Sequence, residues 1–101
     1  MKTLLLPVLF VAGVATAQAD QALATKNNCM ACHAVDKKLV GPAYRDVAKK
    51  YSGVVGDTTS ALAASIKKGG AGKWGAIPMP AQPQLSDADA KKLATWILSI
   101  K

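Results

Sequence analysis

The stretch Cys29-Met30-Ala31-Cys32-His33 uses both cysteines of the chain and its only histidine. C-x-x-C-H is the attachment sequence of c-type haem. Two thioether bonds to the haem vinyl groups require two sulfurs about one helical turn apart, and the next residue can then bring an imidazole nitrogen to the iron. Other chemistries use parts of the same pattern. A redox dithiol needs the two cysteines alone and belongs with a βαβ pattern, which this sequence does not show. Half of a zinc site would need two further ligands, and with no third cysteine or second histidine these would have to be carboxylates. A local disulfide would leave His33 without a task. Haem attachment uses every member of the pentad.

Upstream, the first residues read as a secretory signal. Lys2 supplies the positive start, Leu4 to Ala15 the apolar stretch, and Ala17-Gln18-Ala19 the small-residue cleavage site. The apolar stretch is shorter than the about 20 residues that cross a bilayer. An uncleaved N-terminal anchor is the rival reading, and the A-x-A site argues against it. The expected organisation is a cleaved signal peptide over residues 1–19 and one domain over 20–101. A domain of that size has a thin core and commonly needs a cross-link or a metal. Covalent haem would be both a staple and an apolar plate for side chains to pack on. Export fits the same chemistry, since bacterial c-type haem is attached outside the cytoplasm, so the expected compartment is the periplasm.

The chain carries 13 lysines and arginines against 6 acidic residues, all of them aspartate, for a net charge of +7. Nucleic acid is the usual partner of such a balance, but an exported chain rarely meets it, and the few scattered aromatics make no stacking platform. Steering toward an acidic protein partner is the more economical account, with a solubilising lysine coat as the plainer one.

Downstream of the pentad no strand pattern stands out, and abundant alanine predicts a helical chain. The first helix is expected from about Gln21 into the pentad. Gly41-Pro42 marks a turn before a short helix, Ala43 to Tyr51, in which Tyr44, Val47, Ala48 and Tyr51 share a face. A third helix, capped by Thr58 or Thr59, should run to about Lys68, with Gly69 and Gly70 stopping it. The stretch from Gly72 to Leu85 carries Pro78, Pro80 and Pro83 and must be extended or turned. Ser86 then opens the last helix as N-cap, with Asp87 and Asp89 in its first turn and Leu93, Ile97 and Ile100 as its apolar stripe.

An iron held by one histidine needs a sixth ligand or stays open to small molecules. No second histidine exists, so a bis-histidine site within one chain is excluded. Met30 lies inside the pentad on the histidine's side. Met79 stands in the loop Ile77-Pro78-Met79-Pro80, where flanking prolines restrict the backbone and would hold a weak thioether ligand. A gap-filling core methionine is the competing reading, though such methionines usually sit on a helix or strand.

Four segments in order resemble the small class I bacterial cytochromes c of the c-551 type. They are Cys29 to His33, Val40-Gly41-Pro42-Ala43-Tyr44, Trp74-Gly75-Ala76-Ile77-Pro78-Met79-Pro80, and Trp96-Ile97-Leu98-Ser99-Ile100-Lys101. The resemblance implies an all-α fold of about four helices wrapped around one covalent haem c, with the first and last helices crossing. It implies Cys29 and Cys32 as thioether sites, His33 and Met79 as axial iron ligands, Pro42 as acceptor of the histidine Nδ1–H, and Trp74 as a donor to a haem propionate. Two positions depart from some relatives: Ser65 stands where a basic residue can serve a propionate, and Gln82 where an asparagine can donate to the methionine sulfur. The function implied is a monomeric electron carrier, not an enzyme. Its donor would be a membrane cytochrome complex, and its acceptor a nitrite reductase, terminal oxidase or peroxidase. The rival is a small c-type haem peroxidase or gas-binding protein, for which a distal histidine is lacking and Arg45 is the sole arginine.

Overall fold

The computed structural model describes residues 15–101, with side chains from residue 20 onward. The expected leader therefore lies outside the described residues over positions 1–14. Four helices follow in order: α1 (Ala15–Lys26), α2 (Tyr44–Tyr51), α3 (Thr58–Lys68) and α4 (Asp87–Ser99). Among the described residues there is no strand, only an isolated bridge between Gly70 and Met79. The all-α expectation holds.

The first helix does not run into the pentad as expected. It ends at Lys26, and the pentad begins a separate short 3-10 turn, Cys29–Ala31. The cause is local. Asn27 turns its side-chain amide back to donate to the Leu23 carbonyl at 2.9 Å. Asn28 then takes a left-handed conformation, φ 61°, which asparagine tolerates better than most residues. The reversal sets the direction in which the cysteines leave the helix.

α2 starts after Gly41-Pro42, with Ala43 extended. The first N–H groups of a helix have no partner within it. Here the loop behind the pentad supplies them: Tyr44 N–H donates to the Ala34 carbonyl and Arg45 N–H to the Val35 carbonyl, both at 2.9 Å. The loop behind the pentad is thereby fastened to the start of α2 by backbone hydrogen bonds. Tyr44, Val47 and Ala48 point into the core as their spacing predicts.

The cap of α3 is a second correction. Neither Thr58 nor Thr59 caps it; the N-cap is Asp57, whose carboxylate accepts from the Ser60 N–H at 2.9 Å. α4 begins as expected, Ser86 Oγ accepting from the Asp89 N–H at 3.1 Å. This helix is the common partner of the other three, and it buries Ala90, Leu93, Ala94, Trp96 and Ile97. Ile100 falls just past its end and is half-buried. Small residues let the helices approach: Ala24 of α1 and Ala94 of α4 are fully buried, and among the described residues Leu93 is the one large side chain buried to nearly that degree. The helices form a shelf, and the irregular segment 69–84 passes over one side of it.

Candidate functional site

Between the shelf and that segment lies a cleft of about 330 Å³, within the range that cofactor sites occupy. Its floor is apolar, from Val47, Leu62, Ile66, Leu93 and Ile97. Cys29, Cys32, His33, Pro42, Trp74 and Met79 all line it. The structure thus gathers the six residues expected to hold the haem around one space, from segments up to 50 positions apart; Gln82 and Arg45 are not among the lining residues.

His33 is held on three sides. Its Nδ1 lies 2.8 Å from the Pro42 carbonyl oxygen. A carbonyl can only accept, so Nδ1 is the donor, and in the neutral imidazole the free lone pair is then on Nε2. The Tyr44 ring stacks on the imidazole, centroids 4.9 Å apart and planes 18° from parallel. Gly41 backs it so closely that a Cβ there would stand 2.7 Å from Nδ1 and 2.9 Å from Nε2. Only a glycine leaves room for the ring in this orientation. Tyr44 itself packs edge-on against Trp96, 5.4 Å away. A chain of contacts therefore runs from the histidine into α4.

The two sulfurs are half-buried and do not bond to each other. Burial pushes the Cys29 thiol above its ordinary pKa, against the Tyr44 hydroxyl beside it, which lowers it. The same burial, then the neighbouring Cys29 and Cys32, hold the Tyr44 hydroxyl protonated far above the usual range. A solvent-reactive dithiol calls for the opposite shift, a stabilised thiolate. No cluster of three or more histidine, cysteine, aspartate or glutamate side chains exists among the described residues, which removes the carboxylates that a zinc site would need.

Met79 reaches the cleft from the opposite segment. Its backbone pairs with Gly70 in both directions, Gly70 N–H to Met79 O at 3.0 Å and Met79 N–H to Gly70 O at 2.8 Å. Three residues on, the Gln82 N–H donates to the Lys67 carbonyl at 2.9 Å. Gly69, at φ 65°, lies so close that a Cβ would come within 2.7 Å of the Pro80 carbonyl carbon and the Ala81 nitrogen. The Gln82 side chain donates to the Pro80 carbonyl at 3.2 Å and accepts from Gln84 at 2.6 Å. Ser65 lines the cleft as an uncharged residue.

Sequence reasoning read Gly69 and Gly70 as a helix stop and missed that they seat the methionine loop. It placed Tyr44 on a helix face without assigning it to His33. A tyrosine two residues after Gly41-Pro42, in a chain with one histidine, is the available signal. Trp74 stands at the mouth of the cleft, 39% exposed, with Lys50 Nζ 4.5 Å from its ring centroid. Val40 and Ile77 are more open still, at 54% and 65%.

The residues fit a covalently held haem by their own chemistry. They offer two thiols, an imidazole with a fixed free nitrogen, an apolar floor and, on the facing wall, a soft thioether. Arg45, the other residue weighed for distal chemistry, is turned away: its Nε donates to the Lys101 carbonyl at 3.0 Å. No described helix is long and apolar enough to cross a membrane.

Comparison with known proteins agrees with this geometry. The cytochrome c family model matches residues 17–101. The chain is 56% identical over 93 residues to cytochrome c-552 of Nitrosomonas europaea, covering 92% of this chain and 87% of that one. It is 54% identical over 100 residues to cytochrome c-552 of Hydrogenobacter thermophilus, covering 99% and 98%. The crystal structure of wild-type Nitrosomonas europaea cytochrome c552 superposes with a TM-score of 0.77 at 54% identity, over 80% of this chain and 99% of that one.

Proposed function

The chain belongs to the cytochrome c family as a small class I member with one covalent haem c, and we propose that it is a periplasmic one-electron carrier whose iron is held by His33 and Met79. The observation that carries the reading is the convergence of Cys29, Cys32, His33 and Met79 on one apolar cleft. The haem supplies the redox centre, cycling between Fe(II) and Fe(III). Every other part of the task falls to side chains of this protein.

Cys29 and Cys32 attach the group and keep it in the cleft. Pro42, by accepting from Nδ1–H, and Tyr44 and Gly41, by fixing the ring, present His33 Nε2 in one orientation. Met79, a soft and weakly donating ligand, favours the ferrous state and raises the potential. With His33 and Met79 both holding the iron, electron exchange would need little rearrangement and substrate chemistry would be opposed. That favours a carrier over a peroxidase or gas-binding protein, as does the engagement of Arg45 at the C-terminus. Trp74, which lines the cleft, would donate its indole N–H to a propionate.

Residues 1–19 act as the signal peptide and residues 20–101 as the mature monomeric domain. Respiratory proteins supply and take the electron: a membrane cytochrome complex as donor, and a nitrite reductase, terminal oxidase or peroxidase as acceptor. The mass of the exported product should equal the chain from Asp20 plus one haem that acid–acetone does not extract. Met79→Ala should keep the haem, lose the methionine–ferric charge-transfer band, lower the potential and admit carbon monoxide to the ferrous iron. A variant with the parent's spectrum and potential would remove Met79 from the iron.

A further inference from the structure

The segment 71–78 is exposed along its whole length, and its glycines Gly72 and Gly75 both take positive φ. Backbone groups must find partners somewhere, yet this segment has one internal backbone bond, Gly72 N–H to Gly75 O at 2.8 Å. Its foot is fixed by the Gly70–Met79 pair. Its tip is fixed by something else. Lys50, in the last turn of α2, donates from Nζ to the Lys73 carbonyl at 3.2 Å and sets the same ammonium 4.5 Å from the Trp74 ring centroid. Lys73 returns the contact, its Nζ lying 3.5 Å from the Tyr51 hydroxyl. One ammonium thus grips two consecutive residues, and the next residue of α2 takes the side chain of the first.

Geometry makes this clasp a bridge across the cleft. Tyr51 lines the cleft from the helical side, and Lys73 and Trp74 line it from the loop side. Lys50 stands outside the cleft lining, so it acts through Trp74 and Lys73. We propose that Lys50 is a positioning residue that holds the 71–78 loop closed across the cleft mouth, and so limits the opening through which Met79 could be displaced. The consequence for Met79 rests on the axial-ligand reading above; the clasp does not. A cation over an aromatic ring suits the task at an exposed site, because the ring face excludes part of the competing water while the carbonyl satisfies the ammonium.

The test uses the holoprotein and four variants: Lys50→Met, Lys50→Arg, Trp74→Leu and Lys50→Met combined with Trp74→Leu. Lys50→Met keeps the stem and removes the charge and donor; Lys50→Arg keeps both. Amide exchange at Gly72 in the ferrous protein reads loop opening, and the rate of imidazole binding to the ferric protein reads displacement of Met79. Lys50→Met should speed both by about two- to five-fold, the range expected for an exposed cation–π contact, and Lys50→Arg should restore the parent rates. In a Trp74→Leu background the methionine substitution should add less than it does in the parent, since only the Lys73 carbonyl is left for the ammonium to hold. Unchanged exchange in Lys50→Met, an arginine variant as fast as the methionine one, or an equal increase without Trp74 would each overturn the clasp. Faster exchange with an unchanged imidazole rate would support the clasp and count against Met79 as the ligand displaced.

Discussion

The helical wall of the cleft and its loop wall are held by different forces. The helical wall is made of side chains: Leu93, Ala94, Ile97, Leu62 and Val47 are all buried, and α4 ties the other helices together. The loop wall buries almost nothing. From 71 to 78 every residue is exposed, and the segment is placed by backbone pairing at Gly70 and Met79, by the close approach at Gly69 and by the Lys50 clasp. One wall is stabilised by area removed from water, which is non-directional and tolerant of small shifts. The other depends on a few directional contacts around glycines. The difference suits the task proposed for each: the helical wall seats an apolar plate, while the loop wall must deliver one sulfur atom to one point.

The largest effect should come from the helical wall. Leu93 is 1% exposed at the centre of the core and also lines the cleft. Leu93→Ala should destabilise the folded holoprotein by about 2–5 kcal/mol, measured by guanidinium unfolding. Because the cleft floor loses a side chain as well, the spectrum should broaden along with the loss of stability. A cost below about 1 kcal/mol would mean that the cleft is free to collapse there, and that the two walls are less distinct than they look.

A smaller and more selective effect is expected at the loop wall. Gly69→Ala places a methyl against the Pro80–Ala81 backbone at a φ of 65°, where side chains are unfavourable. The expected cost is about 1–3 kcal/mol, the range for overpacking and for a strained backbone position. What separates it from Leu93→Ala is where the damage lands. Far-UV circular dichroism should be nearly unchanged, since α3 has already ended, while the methionine–iron band should shift or weaken. If instead helix content falls and the band is kept, Gly69 serves the end of α3 and not the methionine loop.

The same contrast explains what could be read from sequence. Helical wall elements are local: the Tyr44, Val47, Ala48 spacing and the Ser86 cap with Asp87 and Asp89 behind it gave α2 and α4 nearly to the residue. Where two local signals compete, the structure follows the stronger one. Asp57 won the α3 cap from Thr58 and Thr59 because its carboxylate takes both the N–H and the hydroxyl of Ser60. The Asn27-Asn28 pair ended α1 before the pentad, although the apolar spacing of Leu23 and Met30 invited a longer helix. The site residues were visible because the chemistry of C-x-x-C-H and of a methionine between prolines is carried by residue type. Their supports were not. The pairing of Gly70 with Met79, the packing of Gly41 on His33 and the grip of Lys50 on Trp74 join positions far apart in the chain, and no periodicity records them.

The smallest predicted effect lies on the seam between the two walls. Lys67 gives its backbone carbonyl to Gln82 of the loop segment and its ammonium to Asp87 at the start of α4. The Lys67 hydrogen bond and charge hold the Asp87 carboxyl below the ordinary carboxylate value. A carboxyl with a depressed pKa in the folded state adds stability at pH values above its unfolded pKa, near 4, and loses that contribution as pH falls through the folded value. Asp87→Asn should therefore be slightly less stable than the parent at pH 7, with the difference closing in acid. Two causes contribute, since Asp87 also sits in the first turn of α4, where a negative charge complements the helix dipole. Lys67→Met separates them: it removes the ion pair and leaves the dipole term and the backbone bond to Gln82. The Asp87 side chain is 92% exposed, so the pair is well screened and its share should shrink further as salt is raised. If Lys67→Met is as stable as the parent at pH 7 and low salt, the acid dependence belongs to the dipole alone. The seam would then be held by the Gln82–Lys67 backbone bond, the same kind of contact that holds the rest of the loop wall.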